Sequence, residues 1–501
     1  MQTEEMVAAL LRILHSGTQD GRLLSTNIGI FQKVLIRAGR FTTQFVRLDF
    51  DTRPVLGAAA TLTIPRKGHL VSRLYLVTTL PDIATPQKAA RAYCDASGLR
   101  FIGPTFGWTN SVGHALLTEA SIDIGGSRCD RLDGRLLEVL DEFNTPLEKV
   151  TAMNSLLPRK DNGFRPGVFG LEDGGTVAVT PLPFWFSSGD PGAYLPIDAI
   201  QADTVVLRVG WQAATSIYVS DTTQTPTTPS TNLNGDAYVP LQGARFYAAQ
   251  GMGRTVIPGI QMPSVFPLRD TYILAEYIYL DRPEANRFRI SDIRYPILQH
   301  YPFDPTDTQS ASVRQIPLKI PNPTRSLFFY LQRFEAARYN APFLATRDLS
   351  GAGTSTPWWP DASGLNIYSF GDLQAGFSTR ESEPIRALNL MYEGNLTRYA
   401  TDAPSLFRSL FPSFEMRKSP WVNRYMYTLP FAFEPGLIPP SLPSGEANLD
   451  KFLNIELALL MHPNRGSINP NDVPRFIVYI WAETYNILRV YGGRAGLLFG
   501  Y

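Results

Sequence analysis

The 501-residue chain has little of several things, and each shortage excludes a class of protein. Cys94 and Cys129 are the only cysteines, too few for a disulfide framework or a four-thiolate zinc site. They read as free, buried thiols in a protein that folds inside a cell. Charge of one sign is also lacking, because 46 Lys and Arg against 45 Asp and Glu leave +1. A protein that coats nucleic acid needs a basic surface to neutralise phosphates, so direct genome binding is not expected. No apolar run of about 18 residues occurs, so no transmembrane helix is expected. The N-terminus carries Glu4 and Glu5 where a secretory signal would place basic residues, and Arg12 breaks its short apolar stretch. No classical export signal is expected.

What is present is globular and β-rich. Hydrophobic residues make up 44% and aromatics 12%, enough for an ample core, and the length suits two large β-domains or three smaller ones. Period-two alternation places Ala120, Ile122 and Ile124 on one strand face. The same pattern aligns Val205, Leu207 and Val209, then Leu453, Ile455, Leu457 and Leu459, and then Phe476, Val478 and Ile480. Gly, Pro, Asn and Asp clusters separate such runs, as at IGGSRCD and HPNRGSINPND, which is the signature of sandwiches or jelly rolls.

Three segments read as helices. Met6, Leu10 and Leu14 share a face that docks on a partner or membrane, or packs on its own domain. Residues 133–144 carry Leu136, Leu137, Leu140 and Phe143 at helical spacing. After the strand 271–280, Asp281 caps a helix with Pro283 in its first turn and Glu284 completing a capping box. Residues 212–235, rich in Thr, Pro and Ser, read as an exposed loop, as do 302–315 and 348–364.

No catalytic constellation emerges. His15, His69, His114, His300 and His462 contain no pair at helical metal-binding spacing, and neither a Gly-x-Ser-x-Gly elbow nor a P-loop occurs. GGRAG at 492–496 reads as a turn. Asp141 and Glu142 point in different directions on their helix and read as a solvated face. Arg282, Arg287, Arg289 and Arg294, interleaved with Asp281, Glu284 and Asp292, read as ion pairs at a junction. Trp185 reads as core, while Trp358 and Trp359 suit a subunit contact or a sugar platform. Asn395, in NLT, is the one glycosylation sequon. Neither a cofactor nor a metal is expected.

Eight stretches in order resemble one known family. They are GTQDGRLLSTNIGIFQKV (17–34), TIPRKGHLVSRLYLVTTLP (63–81), the strand, turn and helix of 113–143, LPFWFSSGDPGAYLPIDAIQADTVVLRV (182–209), EYIYLDRPEANRF (276–288), NPTRSLFFYLQR with LPSGEANLDKFLNIEL, and AETYNILRVYGGRAGLLF. Together they are similar to the double jelly-roll major capsid proteins of nucleocytoplasmic large DNA viruses. The resemblance implies an all-β chain of two tandem eight-stranded antiparallel jelly rolls with short helices in the connections. It implies an N-terminal arm at 1–24 and a first jelly roll at 25–280 with an outward insertion around 212–270. A linker helix at 281–300 and a second jelly roll at 301–501 follow. It further implies a structural protein that is not an enzyme. Three copies would form a pseudo-hexagonal capsomer, tiling an icosahedral shell in the virion of a large double-stranded DNA virus assembled in the host cytoplasm. Partners would be neighbouring capsomers, minor capsid and penton proteins, and the internal viral membrane through the N-terminal arm. The competing expectation is a carbohydrate-binding or carbohydrate-cleaving double β-sandwich, which needs paired carboxylates beside exposed tryptophans. No convincing pair is found.

Overall fold

Alternating apolar residues become strands in two successive sets. The computed structural model describes residues 40–159, 167–168, 176–220, 240–250, 253–334, 340–343, 345, 347, 383–394, 396–420, 424–439, 443–463 and 469–500. The first set comprises β1 (Phe41–Asp49), β2 (Ala59–Thr63), β3 (Leu70–Thr79), β4 (Leu117–Ile124), β5 (Ser127–Leu132), β6 (Val177–Leu182), β7 (Val205–Trp211) and β8 (Thr271–Leu280). They form two four-stranded sheets ordered β1-β8-β3-β6 and β2-β7-β4-β5.

The second set comprises β9 (Ile293–Pro302), β10 (Val313–Leu318), β11 (Thr324–Arg333), β12 (Ile385–Tyr392), β13 (Leu396–Thr401), β14 (Met426–Pro430), β15 (Ile455–Met461) and β16 (Phe476–Tyr491). Its orders are β9-β16-β11-β14 and β10-β15-β12-β13. The wiring of the first set is thus repeated strand for strand. In each half, successive strands alternate between two facing antiparallel sheets except at one hairpin, β4–β5 or β12–β13, and this arrangement is a jelly roll. Thr306–Asp307 and Arg494–Leu497 widen the β9 sheet by pairing with β16, so the expected 302–315 loop is interrupted by a two-residue strand.

Burial follows the alternation at Ala120, Ile122 and Ile124, at Val205, Leu207 and Val209, and at Phe476, Val478 and Ile480. It fails at Leu453, which is 97% exposed. β15 begins only at Ile455, so extending the alternation two residues upstream assigned a face to a residue outside the sheet. Gly125 (φ 59) and Gly126 (φ 84) form the two-residue turn joining β4 to β5, where both positions need left-handed backbone. GGRAG is likewise a turn, with Gly492 and Gly493 between β16 and its short partner strand.

The longest helices among the described residues are α1 (Ala84–Ser97), α2 (Gly134–Asn144) and α3 (Arg282–Ile290). α1 was not expected. Its buried stripe is Ala84, Gln87, Ala90 and Cys94, small or polar where a helical pattern is usually read from Leu and Ile. Its termini did carry signals. Asp82 accepts from the amides of Ala84 (2.9 Å) and Thr85 (3.1 Å), and Gly98 stops the helix at φ 65. Gln87 exchanges hydrogen bonds with both backbone groups of Phe106, tying α1 to the neighbouring chain. In α3 the expected capping box does not form. The Asp281 side chain makes no cap bond, and only its carbonyl accepts from Glu284, at 3.1 Å. Pro283 has removed one of the amides that such a cap would serve.

Residues 212–270 are more structured than a loop. Tyr218–Ser220 pairs with Phe106–Thr109, and Arg245–Gln250 pairs with both Gly253–Gln261 and Arg100–Gly103. Residues 221–239, most of the Thr/Pro-rich stretch, lie outside the described residues, as do the N-terminal helix, Trp358, Trp359 and Asn395. Cys94 and Cys129 are free and buried.

Candidate functional site at the seam between the two barrels

The contact between the halves grows out of α2. Asp133, directly after β5, uses one carboxylate oxygen to cap the helix, accepting from the amides of Arg135 and Leu136 at 2.9 Å. Its other oxygen accepts from the indole of Trp481 on β16 at 2.8 Å, so one side chain starts the helix and ties it to the second barrel. Gly134 allows the approach. A Cβ there would lie 2.1 Å from the carbonyl oxygen of His114 and 2.7 Å from that of Leu117.

On one side of α2, Leu136, Leu137, Leu140 and Phe143 are buried, and the Phe143 ring lies 5.5 Å from that of Phe328 on β11. The other side corrects the expected solvated face, because Glu138 and Glu142 are fully buried and Asp141 is 8% exposed. The second barrel supplies two of their partners, Lys418 and Arg424, and the first barrel supplies the rest.

Glu138 accepts from Arg159 at 2.7 Å and from Ser111 at 3.0 Å, lies 2.6 Å from His114 Nδ1, and pairs with Arg424 from the second half. Arg159 also reaches Asp141 at 2.6 Å. Glu142 pairs with Lys418 at 3.1 Å and Arg424 at 3.4 Å. Three carboxylates therefore face three cations, and the charge closes within the seam. That balance is what buried charge requires. Burial alone would raise the Glu138 carboxyl, but Arg159 and Arg424, helped by His114, hold it well below the usual carboxylate range. Asp141 is lowered in the same way, with Arg159 outweighing burial.

A second polar contact joins β5 to β9. The Asp130 carboxylate accepts from the His300 amide at 3.0 Å and lies 3.3 Å from its ring Nδ1. Burial would lower the His300 pKa, but Asp130 reverses this and raises it. Beside it, Gln299 donates to the Cys129 carbonyl and accepts from Asn486 at 2.7 Å. Arg135 reaches Gln332 at 3.2 Å and lies 4.5 Å over the Tyr479 ring.

Ser111, His114 and Glu138 superficially suggest a nucleophile with its base. However, Ser111 donates to Glu138 itself and accepts from Arg159 at 2.7 Å, and the side chains of His114 and Glu138 are 3% and 0% exposed. Ser111 is thus spent on the ion network and has no base of its own to activate it. Trp185 is 2% exposed and packs edge-on against Phe186 at 5.1 Å, which makes it core and not a sugar platform. Among the described residues no group of three or more His, Cys, Asp or Glu could hold a metal. Of the four junction arginines, Arg289 pairs with Asp198 at 2.7 Å and Arg294 with Asp292 at 2.7 Å, while Arg282 and Arg287 form no ion pair among the described residues. Sequence reasoning missed Arg159, Lys418 and Arg424, because pairs up to 286 residues apart leave no local pattern.

Two family models cover nearly the whole chain, "Major capsid protein N-terminus" over residues 29–281 and "Large eukaryotic DNA virus major capsid protein" over 284–496. The chain belongs to the major capsid protein family of large eukaryotic DNA viruses. This capsid protein is 21% identical to the major capsid protein of Invertebrate iridescent virus 3, over 95% of this chain and 93% of that one. It is 25% identical to "Probable capsid protein 4" of Acanthamoeba polyphaga mimivirus over 56% of this chain, spanning about half (50%) of that relative's length. In the structure titled "PBCV-1 virus capsid, quasi-atomic model", a chain at 19% identity shares the fold with a TM-score of 0.65, over 94% of this chain and all (100%) of that one. The capsid protein is a double jelly roll and a structural component of the virion capsid, and its relatives are capsid proteins, not carbohydrate enzymes.

Proposed function

We propose that the protein assembles as a homotrimer whose six jelly rolls form a pseudo-hexagonal capsomer, and that these capsomers tile the icosahedral shell of a large double-stranded DNA virus. One observation carries this reading. The same strand order occurs twice in one chain, and buried ion pairs lock the two barrels across the seam. Two similar barrels at fixed orientation turn a three-fold assembly into a six-sided block, and closed rotational symmetry is the usual state of such oligomers. The working division is an arm at 1–24, barrels at 25–280 and 301–501, and a linker at 281–300.

Neighbouring capsomers, minor capsid proteins and penton proteins are the partners of such a block. The N-terminal arm faces inward toward the internal membrane, and assembly takes place in the host cytoplasm. Light scattering after size exclusion tests the core of the reading. The expected mass is three times 55.7 kDa, with a near-hexagonal outline in electron micrographs. A stable monomer that binds glycans would overturn it.

A further inference from the structure

A patch around α3, at one end of the molecule, carries more positive than negative charge, although the chain as a whole is nearly neutral. β1 starts there and β8 ends there, with Phe41 opposite Leu280, and the Leu280 amide donates to His69 at 2.8 Å. Arg66 donates to the carbonyls of Gln201 (2.7 Å) and Asp203 (3.1 Å), and the Ala202 amide donates to Gly493 at 2.8 Å. α3 joins the same face through Arg289 and Asp198, and Asp292 sits between Arg294 and Arg489. These bonds bring together nine cations, from Arg40 to Arg494, against Asp198, Asp203, Asp281, Glu284 and Asp292, although the whole chain carries only +1.

Among the described residues, Arg40, Lys67, Arg282, Arg287 and Arg494 are exposed and form no ion pair. Large apolar side chains stand between them, with Ile290 81% exposed, Tyr491 61% and Phe499 49%. On α3 the buried residue is Ala285, so Ile290 projects from the solvent side of the helix beside Arg287. Cations interspersed with exposed aliphatic and aromatic tips are the composition of a surface that lies on an anionic bilayer. Single tips spaced among charges suit insertion between headgroups better than they suit a complementary folded protein.

We propose that this end of the double barrel docks directly on an anionic phospholipid membrane, with Arg282, Arg287, Lys67 and Arg494 meeting phosphates and Ile290, Tyr491 and Phe499 entering the headgroup layer. The proposal rests on the inward orientation proposed for the N-terminal end, but it assigns the contact to the barrels themselves and not to the arm.

The test is co-sedimentation of the full chain with phosphatidylcholine vesicles, with or without phosphatidylserine. The protein is expected to bind only the serine-containing vesicles, and less at high salt. A cation near such a surface contributes about five-fold in affinity, so Arg282→Glu with Arg287→Glu should weaken binding on the order of several-hundred-fold. Ile290→Ser should weaken the binding that survives high salt. Should the double reversal fail to fold, Arg282→Gln with Arg287→Gln is expected to weaken binding about twenty-five-fold. Equal binding to both vesicle types, no binding, or binding unchanged by these variants would overturn the proposal. So would capture by soluble polyglutamate without capture by vesicles. The oligomeric mass of the same sample is measured in parallel, so a trimer that ignores vesicles refutes this inference alone, and a monomer refutes the capsomer reading.

Discussion

Replacing Glu138 by Gln keeps the side chain's size but removes the charge that Arg159 and Arg424 share. Both guanidinium side chains are 2% exposed, so neither is rehydrated in place. Two unit charges about 4 Å apart attract by about 4 kcal/mol at an effective dielectric of about 20. Removing one partner of a buried pair costs about 3–5 kcal/mol, because the other charge stays buried without compensation. Glu138→Gln should therefore destabilise the fold by about 3–5 kcal/mol.

Urea unfolding at one fixed protein concentration measures this, since assembly would otherwise contribute to the apparent stability. Arg424 comes from the second half, so a double-mutant cycle of Glu138→Gln with Arg424→Met isolates the coupling across the seam. Residues in one network couple by about 0.5–3 kcal/mol, and a value toward the upper end is expected for this pair. The acid limb gives a second reading. The folded Glu138 is held below its ordinary value of 4.5, so its contribution is present above that pH and is lost as pH falls through the lower folded value. The variant should show a shallower acid decline. A loss under about 1 kcal/mol, or simple additivity with Arg424→Met, would refute the claim that these pairs hold the barrels together.

Other perturbations probe the same geometry. Gly134→Ala places a methyl 2.1 Å from a backbone oxygen that cannot swing away, so a melting scan should show severe destabilisation, while Gly126→Asn, at φ 84 in open space, should show only the small loss that left-handed backbone strain causes. His300 is raised by Asp130, so its contribution is full below 6.5 and is lost as pH rises through its higher folded value; the stability gap between parent and His300→Gln should narrow on the alkaline side. Burial first, then Arg347 and Arg386, lower His462 to about 4, so the parent should lose stability as pH falls from 6.5 toward 4, and His462→Gln should lose less. Leu453→Ser should change unfolding by no more than about 0.5 kcal/mol, because the side chain is 97% exposed.

Much of the fold was legible because strand patterning is local. Val205, Leu207 and Val209 announce β7 whichever strands lie beside it, and the Gly125–Gly126 turn announces the hairpin between β4 and β5. α1 was illegible for an equally local reason, since Ala90 and Cys94 bury little area and do not stand out from a polar helix. The buried charges were illegible for a different reason. On α2 the leucines and the acids occupy opposite faces, which is also the pattern of a helix half in water.

The sequence by itself therefore determined several strands, some of their turns, the β-rich character of both halves and the family they resemble. Only the tertiary structure decided that Glu138, Asp141 and Glu142 lie in the dark between two barrels, and that Arg40, Arg287 and Arg494 share one exposed end. Apolar periodicity is set by neighbours two to four residues away. The partners of a buried charge are set by which surfaces meet when two separately wound barrels come together.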